Sequence, residues 1–322
     1  MRLQVCAVAL LFAALCASGT QAQTYPNKPV RVIVGFPPGG GVDITARVIA
    51  SALSDLWGIS VLVDNRPGAT GSIGTEIAAK ANPDGYTLLL CNISSHAIHP
   101  ARYKKLPYDH IKDFAPISLV GATPNVLVVH PSVPVGSLDE FIAHARANPG
   151  KLNYGSSGFG ASPHLSIELL KMMTGINIVS VQYKGAALAL ADVLGGQMQA
   201  MVGNLPGPLP MIKAGKVRAL GVTSAKRNAR APDVPTFAES GVPGYDVTSW
   251  HGLCASAGVP KPILAKLNTD LVKLLNSPSL RQRLAEQGVD AMSSTPEAFA
   301  AHIRSETAKW RKVVRAAGLA AD

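Results

Sequence analysis

The chain has 322 residues, of which 47% are hydrophobic and 16% are charged. This composition provides enough apolar side chains for one large or two ordinary globular domains of about 100–200 residues each. The formal net charge is +10, but the basic residues are scattered and only 5% of the residues are aromatic, which argues against a nucleic-acid partner. A diffuse positive field instead favours anionic small molecules.

Residues 1–22 predict a secretory signal peptide. Arg2 precedes an apolar run over residues 5–17, which is too short to span a bilayer, and small residues at 20 and 22 flank a cleavage point. No later apolar run reaches about 18 residues, so we expect a mature protein without stable membrane insertion. We expect this protein to be exported and to be a monomer.

Two cysteines remain after the signal peptide is removed. Cys6 and Cys16 leave with it, and Cys91 and Cys254 stay in the mature chain. In an oxidising compartment an even pair of cysteines can form a disulfide. The alternative is two buried thiols in strands, because the sequence does not show whether the two residues are close enough to bond.

Short apolar runs rich in valine, isoleucine and leucine alternate with amphipathic stretches, which is typical of an α/β fold with mostly parallel sheets flanked by helices. Ser137 with Glu140 predicts a capping box, and Thr295 before Pro296 predicts another helix start. The predicted strands cover residues 30–36, 60–64, 86–91, 126–130, 152–155, 178–182, 199–203, 217–223 and 247–255. Apolar stripes predict core positions on the C-terminal helices at Leu264, Leu267, Leu271, Leu274, Leu275, Phe299, Ile303, Trp310 and Val314.

A strand, a glycine-rich loop and a helix follow one another twice. "FPPGGGVDITARV" (36–48) comes after the first strand, and "GSSGFGASPH" (155–164) comes after the fifth, with Ser162 as the expected helix cap. Both loops are expected at the carboxyl edge of a sheet, where open α/β sheets bind ligands. Turn-rich stretches at 121–124 and 228–243 are where the chain could cross between the two units, which predicts a hinged, two-lobed molecule.

Neither loop carries a catalytic or cofactor motif. The first has no Gly-Lys-Ser/Thr and lacks the last glycine of GxGxxG, and the second has Phe159 where a G-x-S-x-G elbow needs glycine. His96 and His99 lack acidic neighbours at metal-binding spacing. We therefore expect no cofactor, no metal and no enzymatic activity. The alternative is a secreted hydrolase that uses a serine of residues 155–162 with His164.

The loops do offer hydrogen-bond donors. Successive glycine N–H groups and the positive end of a helix dipole attract anions, and a carboxylate is the commonest small anion. Asp43 is expected to cap a helix that begins at Ile44. The ligand would then meet the N–H groups of Gly39, Gly40 and Gly41, or be held through water.

Six segments resemble the Bug-type substrate-binding proteins of tripartite tricarboxylate transporters. They are "YPNKPVRVIVGFPPGGGVDITAR", "DNRPGATGSIGTEIAAKANPDGYTLLL", "YGSSGFGASPHLSIELL", "VQYKGAALALADVLGGQMQAMVG", "AGKVRALGVTSAKR" and "DVPTFAESGVPGYDV". The resemblance covers nearly the whole mature chain in the family's order, so it is specific.

The resemblance implies a periplasmic clamshell that closes on a small carboxylate-bearing solute. It would present this solute to small and large transmembrane transporter subunits or to a sensor kinase. One domain would comprise residues 24–122 and 226–322, and the other residues 123–225. A ligand sensor or adaptor without a dedicated transporter is the alternative function.

The resemblance also implies a ligand site held by backbone, hydroxyl groups and water rather than by an arginine clamp. Loops 36–43 and 156–164 would contact the ligand, and side chains near Tyr183–Gly185 and Asn204 would line the rest of the cleft. Phe36 would form an apolar wall, unless it is a core residue at the strand end. The predicted ligand-binding residues are Phe36, Gly39, Gly40, Gly41, Asp43, Ser95, Ser156, Ser157, Gly158, Ser162, His164, Tyr183, Lys184, Gly185 and Asn204.

Overall fold

The computed structural model describes residues 25–316 and 318–321, so the predicted signal peptide, Cys6 and Cys16 lie outside the described residues. Within them the strands β1–β10 span Val30–Val34, Val61–Asn65, Thr87–Asn92, Phe114–Val129, Asn153–Ser156, Val179–Gln182, Ala200–Asn204, Arg218–Val222, Thr248–Ser256 and Asp290–Ala291. The helices α1–α10 span Gly41–Trp57, Ser72–Ala79, His99–Arg102, Leu138–Ala147, Ser162–Thr174, Ala186–Leu194, Leu209–Lys213, Lys261–Leu275, Pro278–Glu286 and Pro296–Ala316. A 3-10 turn at Ala69–Gly71 precedes α2, and a π turn at Ser94–Ile98 precedes α3.

One long strand, β4, belongs to both lobes of this α/β fold. Its first part, residues 114–124, pairs with β9, and β9 continues the order β2-β1-β3-β9 of the first sheet. Its second part, residues 125–129, pairs with β7 and leads into the second sheet, β7-β5-β6. The partner of β4 therefore changes between Pro124 and Asn125. The domain boundary at residue 123, which the sequence predicts, lies close to this change and stays a prediction.

Both sheets are mixed. β1 pairs in parallel with β2 and β3, and β5 pairs in parallel with β6 and β7. The pairs that involve β4 or β9 are antiparallel, and β8 and β10 also pair with β4 in this way. The parallel strands thus lie at the outer part of each lobe, and the antiparallel strands connect the lobes. The two-lobed α/β architecture that the sequence predicts is confirmed.

Eight of the nine predicted strands lie within two residues of observed strands. The exception is β4, which begins at Phe114 rather than at Val126. Pro116 and Pro124 interrupt the apolar pattern, because proline has no N–H to donate to a sheet. The strand accommodates Pro116 through an irregular register against β9. The short strand β10 was not predicted, since two residues carry no periodic pattern.

Helices cover both faces of the first sheet. On β3, Leu88 and Leu90 belong to one buried cluster, with apolar residues of α1, α8 and α9, and Leu89 belongs to another, with residues of α10. Each fully buried aliphatic side chain stabilises the fold by about 1.5–3 kcal/mol. The predicted core stripes are confirmed, with Leu264 and Leu274 only partly buried.

Two predicted helix starts are also present in the structure. Ser137 caps α4 by accepting a hydrogen bond from the backbone N–H of Glu140 at 3.4 Å. Thr295 precedes α10, and its hydroxyl accepts from the N–H of Ala298 at 3.2 Å. Among the described residues no helix combines the length and apolar character that a bilayer crossing requires.

Candidate functional site

The first glycine loop joins β1 to α1. Gly39 has a φ of +82°, a left-handed conformation that favours glycine, and α1 begins at Gly41. The N-cap residue is Gly40, so the prediction that Asp43 caps a helix beginning at Ile44 is wrong. The helix begins three residues earlier than predicted because Gly40, a residue type accepted at this position, adopts the extended backbone of an N-cap.

Asp43 holds this loop from the third position of α1. Its carboxylate accepts hydrogen bonds from Gly39 N at 2.9 Å, Asn65 Nδ2 at 2.9 Å and Arg47 Nε at 3.0 Å. Burial alone would raise the pKa of Asp43, but the hydrogen bonds from Arg47, Gly39 and Asn65 together lower it. Asp43 is thus an ionised group that fixes the backbone beside the cleft.

The second glycine loop joins β5 to α5. α5 begins at Ser162, and its N-cap is Ala161 rather than the predicted Ser162. Gly160 has a φ of +79°, and its N–H donates to His164 Nδ1 at 3.2 Å. Burial lowers the pKa of His164 to about 4, with Glu168 acting in the opposite direction, so the ring is neutral at pH 7 with its proton on Nε2.

The two loops repeat one local design. In each, a glycine with φ near +80° donates its N–H to the side chain four residues later, at the third position of the following helix. That side chain in turn lies near a charged residue another four positions along: Asp43 is 3.0 Å from Arg47 Nε, and Nε2 of His164 is 3.9 Å from Glu168 Oε1. The equivalence of Asp43 and His164 cannot be recognised from the sequence, because the two residue types are chemically different.

An inner chamber lies between the two loops, and its cavity volume in this conformation is about 20 Å³, room for about one water-sized group. None of the described residues that line it is charged. The lining is Phe36, Pro37, Gly40, Gly41, Val42, Asn92, Ser94, Ser157, Ala161, Ser162, Pro163, Gly185, Ala186, Asn204 and Ser249. The chamber therefore presents backbone, hydroxyl and amide groups together with a few apolar side chains.

The donors in this chamber come unequally from the two loops. The first N–H groups of α1 have no intrahelical acceptor, and α1 has no side-chain cap. In α5, Ser162 N donates to Ser94 Oγ at 3.1 Å, and Pro163 has no N–H. The first loop thus contributes mainly backbone N–H groups, and the second mainly the hydroxyls of Ser157 and Ser162.

An outer chamber continues from the inner one and shares Phe36, Pro37 and Ser157 with it. Its cavity volume is about 510 Å³, and it is open towards solvent. Lys184 is the single charged residue among the described residues that line it. Its remaining lining is Gly35, Pro67, Gly68, Ala69, Thr70, Gly71, Gly158, Phe159, Gln182 and Tyr183.

The lobes touch at several points around these chambers. Thr70 Oγ1 donates to the carbonyl oxygen of Phe159 at 3.1 Å, and the guanidinium of Arg102 lies 4.0 Å from the centre of the Phe159 ring. At Gly41 a Cβ would lie 2.6 Å from Asn204 Cβ, so only glycine fits against the opposite lobe. The structure is therefore in a conformation with the lobes in contact.

The predicted site residues fall into three groups. Those that line the inner chamber are Phe36, Gly40, Gly41, Ser157, Ser162, Gly185 and Asn204. Those that line the outer chamber in addition to Phe36 and Ser157 are Gly158, Tyr183 and Lys184. Those that lie behind both linings are Gly39, Asp43, Ser95, Ser156 and His164.

The sequence-based prediction missed three polar residues of the inner chamber: Asn92, Ser94 and Ser249. Asn92 ends β3, so the rule that ligands bind at the carboxyl ends of parallel strands could have found it and Ser94. Ser249 comes from β9, which runs antiparallel to β3. No signal in its own neighbourhood marks it.

The structure gives no support to the hydrolase alternative. Ser156 Oγ donates to Gln182 Oε1 at 2.9 Å, and His164 Nδ1 accepts from Gly160. In the part of the chain that the structure describes, neither Ser156 nor Ser157 is hydrogen-bonded to His164. The nucleophile and base geometry that serine hydrolysis needs is not formed.

Comparison with known proteins agrees with this geometry. The family model "Tripartite tricarboxylate transporter family receptor" matches residues 45–319. This chain is a member of that receptor family. The receptor is 39% identical over 303 residues to Protein BugT of Bordetella pertussis, covering 94% of this chain and 93% of BugT.

Two solved structures are also similar to the receptor. "R. palustris Rpa4515 with adipate" has a TM-score of 0.89 and 39% identity, covering 91% of this chain and 98% of that one. "MatC (Rpa3494) from Rhodopseudomonas palustris with bound malate" has a TM-score of 0.84 and 32% identity, covering 90% of this chain and 100% of that one. The Bug-type resemblance predicted from the sequence is confirmed.

Three histidines of the receptor are fully buried near the strand ends that line the inner chamber. Burial lowers the pKa of His96 to about 3 and the pKa values of His99 and His251 to about 4. Each Nδ1 is hydrogen-bonded to a hydroxyl, while each Nε2 has no hydrogen-bond partner among the described residues. These rings are neutral in the folded protein at pH 7.

We expect the receptor to lose stability in mild acid. An unfolded histidine binds a proton near pH 6.5, while the buried ones stay neutral down to about pH 4. The free energy of unfolding should therefore have its full value above about pH 6.5. As the pH decreases from there towards 4, it should fall by about 1.4 kcal/mol per pH unit for each such histidine. Urea unfolding at pH 7.5, 6.5, 5.5 and 4.5 measures this slope.

His99→Gln supplies the matched comparison. This substitution should reduce the pH dependence of the free energy of unfolding by the contribution of one histidine. At pH 7.5 the ring is neutral in both the folded and the unfolded protein, so the difference in free energy of unfolding between variant and wild type there measures the loss of packing alone. A flat profile between about pH 6.5 and 4.5 in the wild-type protein would contradict the assignment of buried neutral histidines.

Proposed function

We propose that the protein is a periplasmic receptor that binds a small carboxylate between its lobes and delivers it to the transmembrane subunits of a tripartite tricarboxylate-type transporter. The observation that carries this proposal is the inner chamber, where uncapped N–H groups of α1 meet hydroxyls of the second lobe without any charged side chain. The bound adipate and malate named for two similar structures support the ligand class.

The chemistry of the chamber suits an anion. The N-terminus of a helix carries about half a positive charge, and α1 and α5 both begin at the chamber. Hydroxyls of Ser94, Ser157 and Ser249 can donate to carboxylate oxygens, and the net charge of +10 draws anions towards the cleft. A carboxylate would replace water on these donors without needing an arginine partner.

The outer chamber would hold the rest of the ligand. Phe36, Pro37 and Phe159 offer apolar surface for a short hydrocarbon segment, and the exposed Lys184 offers a positive charge beyond it. An acid with a second carboxylate could therefore place one end in the inner chamber and the other near Lys184. This arrangement favours an extended dicarboxylate over a compact monocarboxylate.

Binding would act by population shift. A ligand that touches both lobes stabilises the conformation in which Thr70 reaches Phe159 and Gly41 meets Asn204. The membrane subunits would recognise this conformation, while the open one exchanges ligand. We propose no chemical step on the ligand.

The first test is a thermal-shift screen of the refolded mature protein against mono-, di- and tricarboxylates and their amides. We expect a rise in Tm with a carboxylate and none with its amide, because only the anion gains from the helix dipole and N–H groups. Ligand at about 100 times its Kd should stabilise the folded protein by about 2.7 kcal/mol. Equal shifts with acid and amide would overturn the carboxylate assignment.

Gly41→Ala tests whether the lobes must meet as described. The added Cβ would lie 2.6 Å from Asn204 Cβ, so we expect Kd for the carboxylate to rise about ten- to hundredfold, or about 1.4–2.8 kcal/mol. Calorimetric titration of Gly41→Ala, Asn204→Gly and the double variant forms a thermodynamic cycle. The alanine should cost clearly less in the Asn204→Gly background. An equal cost in both backgrounds would show that the lobes do not meet at this point.

Lys184→Gln tests the position of the distal charge. Because the ammonium is exposed, we expect a modest effect, a rise of about two- to fivefold in Kd for a dicarboxylate. The monocarboxylate of the same chain length should bind the variant and the wild type equally, and Lys184→Arg should keep most of the affinity. An equal loss for both acids would remove Lys184 from the distal site.

A further inference from the structure

Cys91 and Cys254 lie side by side in the core. They are the two cysteines of the described residues, and both are fully buried. β3 and β9 run antiparallel, with Leu89 opposite Cys254 and Cys91 opposite Gly252, so the cysteines are diagonal neighbours on adjacent strands. Their sulfur atoms are 2.9 Å apart, less than one ångström beyond the bond length of about 2.05 Å.

We propose that Cys91 and Cys254 form a disulfide that ties β3 to β9 behind the ligand chamber. The inference rests on the export that the proposed function requires, because disulfides form and persist in oxidising compartments. No other described cysteine competes for either sulfur, so the pairing is unique within the mature chain. Diagonal neighbours on antiparallel strands are typically about 7–8 Å apart, whereas a disulfide takes Cα atoms about 4.4–6.8 Å apart, so bond formation needs the two strands to move closer as well as side-chain rotation.

The bond would form by exchange with an exported protein or small molecule that carries a disulfide. One cysteine thiolate attacks the donor disulfide, forms a mixed disulfide and releases one donor thiol; the other cysteine thiolate then displaces the second donor thiol. The two cysteine protons end on the donor thiols, and two electrons pass to the donor. Because both sulfurs are fully buried in the folded protein, this exchange must precede closure of the core.

The disulfide would act directly on the strand end that carries the site. Asn92 follows Cys91, and its Oδ1 accepts from the N–H groups of Ser94 and Ser95. Asn92 and Ser94 line the inner chamber, and Ser94 Oγ accepts from Ser162 N of the opposite lobe. A covalent link at Cys91 would therefore fix the residue from which this turn begins.

A bound metal ion is the competing use of these thiols. A ring nitrogen of His96 lies within 4.8 Å of both sulfurs, which makes a Cys-Cys-His cluster. Two thiolates on one tetrahedral zinc ion, each about 2.3 Å from it, would be about 3.8 Å apart. The observed 2.9 Å would have to widen by about 0.9 Å for zinc and to shorten by about as much for a disulfide, so this distance does not separate the two. A structural zinc site takes four protein ligands, and the fully buried cluster offers three among the described residues, which favours the disulfide.

Thiol counting on the exported protein decides between these states. The protein is expressed with its signal peptide, and the mature chain is recovered from the periplasm without reductant and denatured in an alkylating agent. We expect no alkylated cysteine before reduction, two after it, and one linked peptide pair that contains Cys91 and Cys254. Two alkylated cysteines without prior reduction would overturn the proposal, as would one equivalent of zinc or copper released on denaturation.

Equilibrium urea unfolding provides a second readout. With reductant the wild-type midpoint should fall by about 1 M urea, because a cross-link across a long loop constrains the unfolded chain. Cys254→Ala and Cys91→Ala should not respond to reductant. If the variants fail to fold, the wild-type thiol count still decides. Carboxylate binding is measured separately on the same samples. If Cys91 and Cys254 are reduced in a protein that binds carboxylate, the disulfide proposal is wrong and the proposed receptor function is unaffected.

Discussion

The site depends on keeping backbone N–H groups at the start of α1 free of protein acceptors. Such groups are costly to bury without a partner, so the loop that carries them must be held by something other than those groups themselves. Asp43 does this by accepting from Gly39, the residue that precedes the N-cap Gly40. In the other lobe, His164 does the same for Gly160. Both loops are thus fixed by a side chain that leaves the chamber face unoccupied by protein charge.

Asp43 and His164, the side chains that fix the two loops, differ in charge. Asp43 is ionised, and the exposed Arg47 and the amide of Asn65 balance its charge away from the chamber. His164 is neutral because of its burial, so the second loop brings no charge of its own. A negative ligand would therefore have behind the chamber lining a carboxylate that is already hydrogen-bonded and a ring without charge. The proposed anion preference would then come from dipoles and hydroxyls, which suits a receptor that must also release its ligand.

The sequence predicted the architecture well because apolar periodicity encodes it directly. Eight strands, the core stripes of α8 and α10 and both glycine loops follow from patterns that a few residues on either side determine. The role of Asp43 was missed although its partners Gly39 and Arg47 lie only four residues away, because the start of α1 was placed too late. The failures at β4 and Ser249 arise because both depend on partners far along the chain. Pro116 hides a strand that only β9 stabilises, and Ser249 reaches the chamber only because β9 runs antiparallel between β3 and β4.

The glycines of the first loop are constrained by the opposite lobe as well as by the ligand site. Gly39 needs its left-handed backbone for the turn, whereas Gly41 needs no unusual torsion and is confined by Asn204. On the other side, Gly185 combines a φ of +135° with a Cβ position only 2.9 Å from Pro37. The backbone of each lobe at these glycines therefore packs against a side chain of the other lobe: Gly41 against Asn204, and Gly185 against Pro37. A side chain at either place would keep the lobes apart, so the same residues that open the chamber to an anion also allow the protein to close around it.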